Sequence, residues 1–217
     1  MDWNEHFAAW LQVVNTPGPE EHLQMQAARK RVKDNSPSDW SWLAEGVGEP
    51  NKKLFVAQVF QRQPLPKRLF KPFLLAGVLE KNPSANRYFI EPCVRSFGTQ
   101  AVNEVLLQYL KEGTKEEKAG AASAMYWVRG EQSDEARAQI REVFLQEFVA
   151  NEDIEVRRRI VPALQLNPAL YNEEIQPLIA KAISIARTHS DEYIRHRIEI
   201  QLGASGPFKA IPTNHGT

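Results

Sequence analysis

Chain breakers recur in this sequence every ten to eighteen residues. Between them, apolar residues return at three- and four-residue spacings. That pattern admits little besides short amphipathic helices. In "QAVNEVLLQYLKEG", Ala101, Val105, Leu106 and Tyr109 share one face, with Val102 and Leu110 beside it. In "EARAQIREVFLQEFVA" the face is Ala136, Ile140, Val143, Phe144 and Phe148. In "EIQPLIAKAISIAR" it is Ile175, Leu178, Ile179, Ala182, Ile183 and Ala186. Strand signals are missing: there is no sustained two-residue alternation and no Asn-Gly or Asp-Gly turn between β-rich runs.

The breakers, among them "NTPGPE", "GVGEPN", "KNPS", "RGEQSD" and "LNPALYN", cut the chain into twelve predicted helices. These are 2–14, 19–34, 38–46, 51–63, 66–81, 84–97, 100–112, 115–129, 134–150, 153–166, 172–188 and 191–203. Ser38, Thr99, Thr114, Ser133, Asp153 and Asp191 stand where a side-chain oxygen can accept a free N–H of the first turn. Pro92 and Pro162 fall inside predicted helices, where each removes one main-chain hydrogen bond. Residues 204–217, "ASGPFKAIPTNHGT", carry no periodicity and read as a flexible tail.

Part of the chain repeats. When "DIEVRRRIVPAL" is placed over "DEYIRHRIEIQL", Asp153 meets Asp191, Val156 meets Ile194, Arg157 meets Arg195, Ile160 meets Ile198 and Leu164 meets Leu202. The offset is 38 residues, and a step of 37 back brings Ala119, Ser123 and Trp127 to the three apolar positions. Phe89, Cys93 and Phe97 keep the spacing but break the period; Phe55 and Val59 extend it faintly. A longer helix precedes each repeated one. Such pairs bury their apolar stripes by stacking side by side into a superhelical solenoid.

The segments Asp153-x-x-Val156-Arg157 and Asp191-x-x-Ile194-Arg195, with apolar residues four and eight further on, resemble the second helix of HEAT repeats. The resemblance is good over the last two repeats. It is partial at 100–129, where Glu116 and Gly120 replace Asp and Arg, and weak before that. It implies an all-α, right-handed α-solenoid of about five antiparallel helical pairs. Residues 1–48 form an N-terminal helical cap, 49–203 the repeats and 204–217 the tail, all within one domain. It also implies that the Asp153–Arg157 and Asp191–Arg195 pairs tie adjacent repeats, and that second helices line a concave face.

Composition narrows the function. With 217 residues, 42% hydrophobic and 25% charged, the chain is ordinary for a globular protein. Its 27 Lys and Arg balance 27 Asp and Glu, which argues against broad nucleic-acid binding through phosphate neutralisation. No apolar run reaches the ~18 residues of a membrane span. The start "MDWNEHFAAW" has no basic n-region, so no signal peptide is read and a cytoplasmic setting is expected. A single cysteine, Cys93, at an apolar repeat position, points to a buried small hydrophobe. The five histidines show no ligand spacing, and Gly-rich phosphate loops and G-x-S-x-G elbows are absent, so neither a metal nor a cofactor is expected.

What remains is a small set of candidates. Three arginines in a row, Arg157 to Arg159, align with Arg195, His196 and Arg197. Arg157 and Arg195 read as repeat ties. Arg158, Arg159, His196 and Arg197 are left as the candidate partner-binding residues of the concave face. Two further basic clusters, "ARKRVK" at a helix end and "PKRLFK" near a helix start, read as helix-dipole complement and solvated surface. Trp3 and Trp10 lie on one helix face and, with Trp40 and Trp42, read as packing of the cap.

The expected function is a non-enzymatic scaffold that binds a protein or peptide with an acidic surface, and neither nucleic acid nor membrane. The alternative is a DNA-binding enzyme of the HEAT-like alkylpurine DNA glycosylase type, in which Tyr126, Trp127, Asp191 and the arginines would mimic the aromatic, acidic and basic parts of such a site.

Overall fold

The computed structural model describes residues 1–15 and 18–203, which are helical and contain no strand. The helices are α1 (Trp3–Val13), α2 (Pro19–Arg31), α3 (Pro37–Gly46), α4 (Lys53–Val59), α5 (Lys67–Val78), α6 (Arg87–Glu112), α7 (Lys115–Ala124), α8 (Asp134–Ala150), α9 (Ile154–Ile160), α10 (Gln176–Arg187) and α11 (Glu192–Leu202). The segment 204–217, expected to be a tail, lies outside the described residues. The chain divides into two compact units, Met1–Gln132 and Ser133–Thr217, and the boundary falls in the breaker "RGEQSD".

The helix starts follow the caps. Asp2, Ser36 and Thr114 each accept from the backbone three residues on, and Glu5, Asp39 and Glu117 reach back to complete capping boxes. Ser133, Asp153 and Asp191 cap α8, α9 and α11 as the sequence predicts. Two caps were predicted wrongly. Ser36, not Ser38, caps α3, because Pro37 takes the first helical position and sets the start one residue after Ser36. Thr99 caps nothing. Its hydroxyl donates to the Glu131 carbonyl at 2.7 Å. The break between predicted helices 84–97 and 100–112 is real but small: Gly98 alone leaves the helical region (φ 83°, ψ 165°), inside α6.

In the first unit most helices pack on the next but one. α2 lies on α4, α4 on α6, α3 on α5 and α5 on α7, while α1 lies on α2, α3 on α4, α5 on α6 and α6 on α7. Residues 1–48 are thus part of this unit's packing. Trp3, Trp10 and Phe55 are buried and lie with Phe7 and Trp42 in one aromatic cluster, Trp10 and Phe55 with ring centroids 5.5 Å apart. The indole nitrogens of Trp3 and Trp42 donate to Asn35 and Asn4 at 2.9 and 2.8 Å. The cap is thus tied within itself by two satisfied donors and joins α4 through its ring contacts with Phe55.

Pro92 has a clear role here. Its ring removes the donor that would have bonded the Tyr88 carbonyl, four residues back. That carbonyl instead accepts the side-chain amide of Gln61, beyond α4, at 2.8 Å. The proline converts an intrahelical bond into a tie between helices. A second device sits between α5 and α7. A Cβ on Gly120 would stand 1.8 Å from the Val78 carbonyl oxygen, so the two backbones meet only because Gly120 has no side chain. The adjoining Gly77 carbonyl accepts from the buried Asn86 amide at 2.9 Å.

In the second unit α8 packs on α9 and α10, α9 on α11, and α10 on α11. The repeat register is visible in burial: Val156, Ile160, Ile194 and Ile198 are fully covered, and Leu164 nearly so. Leu202 is only half-buried. Predicted helix 153–166 is shorter than expected. After Ile160 it tightens into a 3-10 turn, Val161–Ala163, that carries Pro162. The Val161 carbonyl there accepts from Gln201 of α11.

Candidate functional site

The arginine ladder of the second unit is largely spent on internal bonds. Arg158 reaches from α9 to α11, where its Nε and Nη2 lie 2.9 and 2.8 Å from Asp191 Oδ2. The other Asp191 oxygen accepts the Ile194 N–H at 3.0 Å. Burial works to raise the Asp191 carboxyl's pKa, but the Ile194 N–H and the Arg158 guanidinium together hold it below the usual range. Arg159 pairs with Glu155 one turn back, Nε to Oε1 at 2.6 Å. Arg197 is half-buried, with its Nε covered and unbonded, whereas His196 is exposed. Of the four candidates, Arg158 and Arg159 are thus ion-paired, His196 is exposed and Arg197 is half-buried.

The arginines expected as ties behave differently from expectation. Arg157 lies over the Phe148 ring at 5.7 Å and donates to the Phe148 carbonyl near the end of α8 at 3.2 Å. Arg195 donates to the carbonyls of His189 and Ser190, just beyond α10. Each thus serves the carbonyl end of the helix preceding its own, where a cation complements the dipole. Asp191 takes Arg158 rather than Arg195 as its ionic partner. The helix-to-helix tie passes through a residue assigned to ligand binding.

An open groove lies in the first unit. It has a volume of about 770 Å³ and is formed by α3, the loop into α4, α5 and Tyr109 of α6. Ala44 and Ala76 keep its walls low. Pro72, Leu75, Ala76 and Leu79 fall at helical spacing along one side of α5 and give it an apolar stripe, with Leu79 51% exposed. The opposite side of α5 is also apolar, with Leu69, Phe73 and Leu74 completely buried. A helix apolar on two sides, one covered and the other only in part, marks a surface able to receive a ligand.

Three lysines and one glutamate line the groove: Lys53, Lys71, Lys81 and Glu80. Lys53 and Glu80 are paired, Nζ to Oε2 at 2.5 Å, with the Glu80 side chain 9% exposed. Burial works to raise the Glu80 carboxyl's pKa, but the Lys53 ammonium and the backbone N–H groups of Asn82 and Lys81 outweigh it and leave the group a fixed anion. Lys71 and Lys81 are exposed and form no ion pair among the described residues. Burial and nearby Glu117 push the Tyr109 hydroxyl's pKa up, so it stays protonated.

The other sequence candidates resolve into structure. Arg29 donates to the Gln58 carbonyl at 2.9 Å, and Arg31 pairs with Asp39 at 2.9 Å, so "ARKRVK" ties α2 to its neighbours. In "PKRLFK", Arg68 lies over Trp40 at 5.3 Å and Lys71 stands at the groove. Trp127 donates to the Pro83 carbonyl at 2.9 Å, and Arg129 lies over the rings of Trp127 and Tyr126. Cys93 is buried, and burial pushes its thiol far above the usual range, which removes the nucleophilic thiolate. Among the described residues, no three His, Cys, Asp or Glu side chains converge as a metal site. Nor is any helix there long and apolar enough to cross a membrane.

The groove was legible in part. Pro72, Leu75, Ala76 and Leu79 carry the signal, a second helical stripe on a segment whose first stripe already fills a core. No family model, curated protein or solved structure matches the chain.

Proposed function

We propose that this protein is a non-enzymatic helical-repeat scaffold, a HEAT-like right-handed α-solenoid of about five helical pairs, that holds a protein or peptide partner. The observation that carries the reading is the packing rule within each unit. From α2 onward, helices two apart in the same unit touch: α2 with α4, α3 with α5, α4 with α6 and α5 with α7 in the first unit, α8 with α10 and α9 with α11 in the second. Stacked pairs of this kind present long open surfaces, and such surfaces suit extended partners. The groove on α3 and α5 supports the reading best. It lies mainly on α3 and α5, with Lys53 of α4 and Tyr109 of α6, and takes no residue from α9 or α11, which carry Arg158, Arg159, His196 and Arg197.

The glycosylase alternative draws no support from Asp191, whose two oxygens are taken by Ile194 and Arg158. Affinity capture from the source lysate, with and without nuclease, separates the readings. Nuclease-resistant recovery of a protein partner supports the scaffold. Recovery of nucleic acid alone, falling steeply with salt, overturns it. Small-angle scattering tests the solenoid: a radius of gyration well above the roughly 17 Å of a compact chain this size is expected.

A further inference from the structure

We propose that the groove of the first unit receives an acidic peptide segment, with a bulky apolar side chain lying between α3 and α5 and a carboxylate at each end meeting Lys71 and Lys81. The inference rests on the scaffold reading and names the ligand chemistry of its groove.

Three observations carry it. The stripe of Pro72, Leu75 and Leu79 is apolar and open, so an occupant gains by burying apolar atoms there. Among the described residues, the unpaired charge of the groove lining is positive. Glu80 is neutralised by Lys53, and Glu49 in the adjoining loop pairs with Lys52 at 2.9 Å, which leaves Lys71 and Lys81 unmatched. Both paired carboxylates are held by neighbouring cations, so an incoming anion meets two lysines and little opposing charge. The helix sets the length. Seven positions of α5 run from Lys71 to its last residue, Val78, roughly 10 Å of helical axis, and Lys81 stands three positions beyond that end. About three extended residues cover the helical part. The segment therefore carries acidic residues on either side of a short apolar centre, and the Tyr109 hydroxyl offers one further donor beside it.

The test uses the full chain and fluorescein-labelled synthetic peptides read by fluorescence anisotropy. The first peptide has a Leu-Leu centre between Asp-Glu pairs. The second replaces the acids by lysine, and the third replaces the leucines by alanine. The acidic leucine peptide is expected to bind, and the other two to bind weakly or not at all. The double variant Lys71→Glu, Lys81→Glu is expected to weaken binding roughly tenfold or more, with a smaller salt dependence. Leu79→Asn, at an exposed position, is expected to do the same at unchanged salt dependence. Circular dichroism of both variants should match the parent, which separates lost binding from lost fold. Equal binding of acidic and lysine peptides overturns the proposal. So does an absence of binding by all three, or occupation of the groove by oleate with no peptide binding. If the peptides fail while affinity capture still recovers a protein partner with the double variant, the groove assignment falls and the scaffold reading stands. If the parent chain recovers no protein partner either, both fall.

Discussion

The two units treat positive charge in opposite ways. In the second unit Arg158 finds Asp191 on the neighbouring helix, and Arg159 finds Glu155 one turn away. In the first, Lys53 finds Glu80 at the groove, while Lys71 and Lys81 find no carboxylate among the described residues. The arginine run is the more conspicuous in sequence, yet it is the better neutralised. What decides is the supply of acids within side-chain reach. α9 and α11 begin with aspartate caps and carry glutamates a turn from the arginines, so their charges close on each other. Along α5 the intervening positions are apolar, and the rim lysines are left facing outward.

That contrast can be pressed at several points. Gly120→Val is expected to have the largest effect. Its Cβ would meet the Val78 carbonyl, a backbone atom that cannot swing aside. A loss of about 3 kcal/mol is expected, read as a fall in thermal or denaturant midpoint. It would also disturb α5 and the groove it carries, whereas the ion pairs of the second unit should survive.

Gln61→Ala comes next. It leaves the Tyr88 carbonyl without its side-chain donor. A loss of about 1 kcal/mol is expected in denaturant unfolding. Restoring an N–H by Pro92→Ala in the same chain should recover part of it. No recovery would mean that the carbonyl had not depended on Gln61.

Acid should weaken both units through histidine, by a smaller and graded amount. Burial, first among the causes, lowers the pKa of buried His6 and of His189, whose Nδ1 accepts the Asp191 N–H at 3.0 Å. Because the folded value lies below the unfolded 6.5, the unfolded chain binds more protons across that interval. Stability is therefore full above about pH 6.5 and declines as the pH falls to the folded values. His6→Gln and His189→Gln should each flatten part of the decline in a pH series of unfolding curves. Asp191 acts lower down: its contribution is present above the ordinary aspartate value and is lost as the pH falls through its depressed one.

Arg159→Ala should matter least, by roughly 0.5 kcal/mol or less, since its partner Glu155 is exposed. If Arg159→Ala instead abolishes recovery of a protein partner, the contrast between the units reverses and the arginine face becomes the site.

The sequence marks much of this architecture, and for identifiable reasons. Caps are local, so Thr114, Ser133, Asp153 and Asp191 declare their helices through the residues that follow. The repeat register at Val156, Ile160, Ile194 and Ile198 survives because each position faces the same neighbouring layer. Pairings across helices are harder to read. Arg158 reads in sequence as a partner-binding residue, and only the placement of α11 selects Asp191. The groove is harder still. It depends on Ala44 and Ala76 being small at the same place on two helices that are distant in sequence. The role of Pro92 needed a partner, Gln61, 31 positions away.

Gly120 has a consequence beyond stability. In any chain that inherits this crossing of α5 and α7, the position must stay without a side chain, because the obstacle is main chain and no compensating substitution can move it. The rim lysines face no such demand, since they touch nothing that the fold requires. Architecture and specificity can therefore diverge at different rates over descent: the crossing frozen at one atom, the groove free to change its taste in ligands.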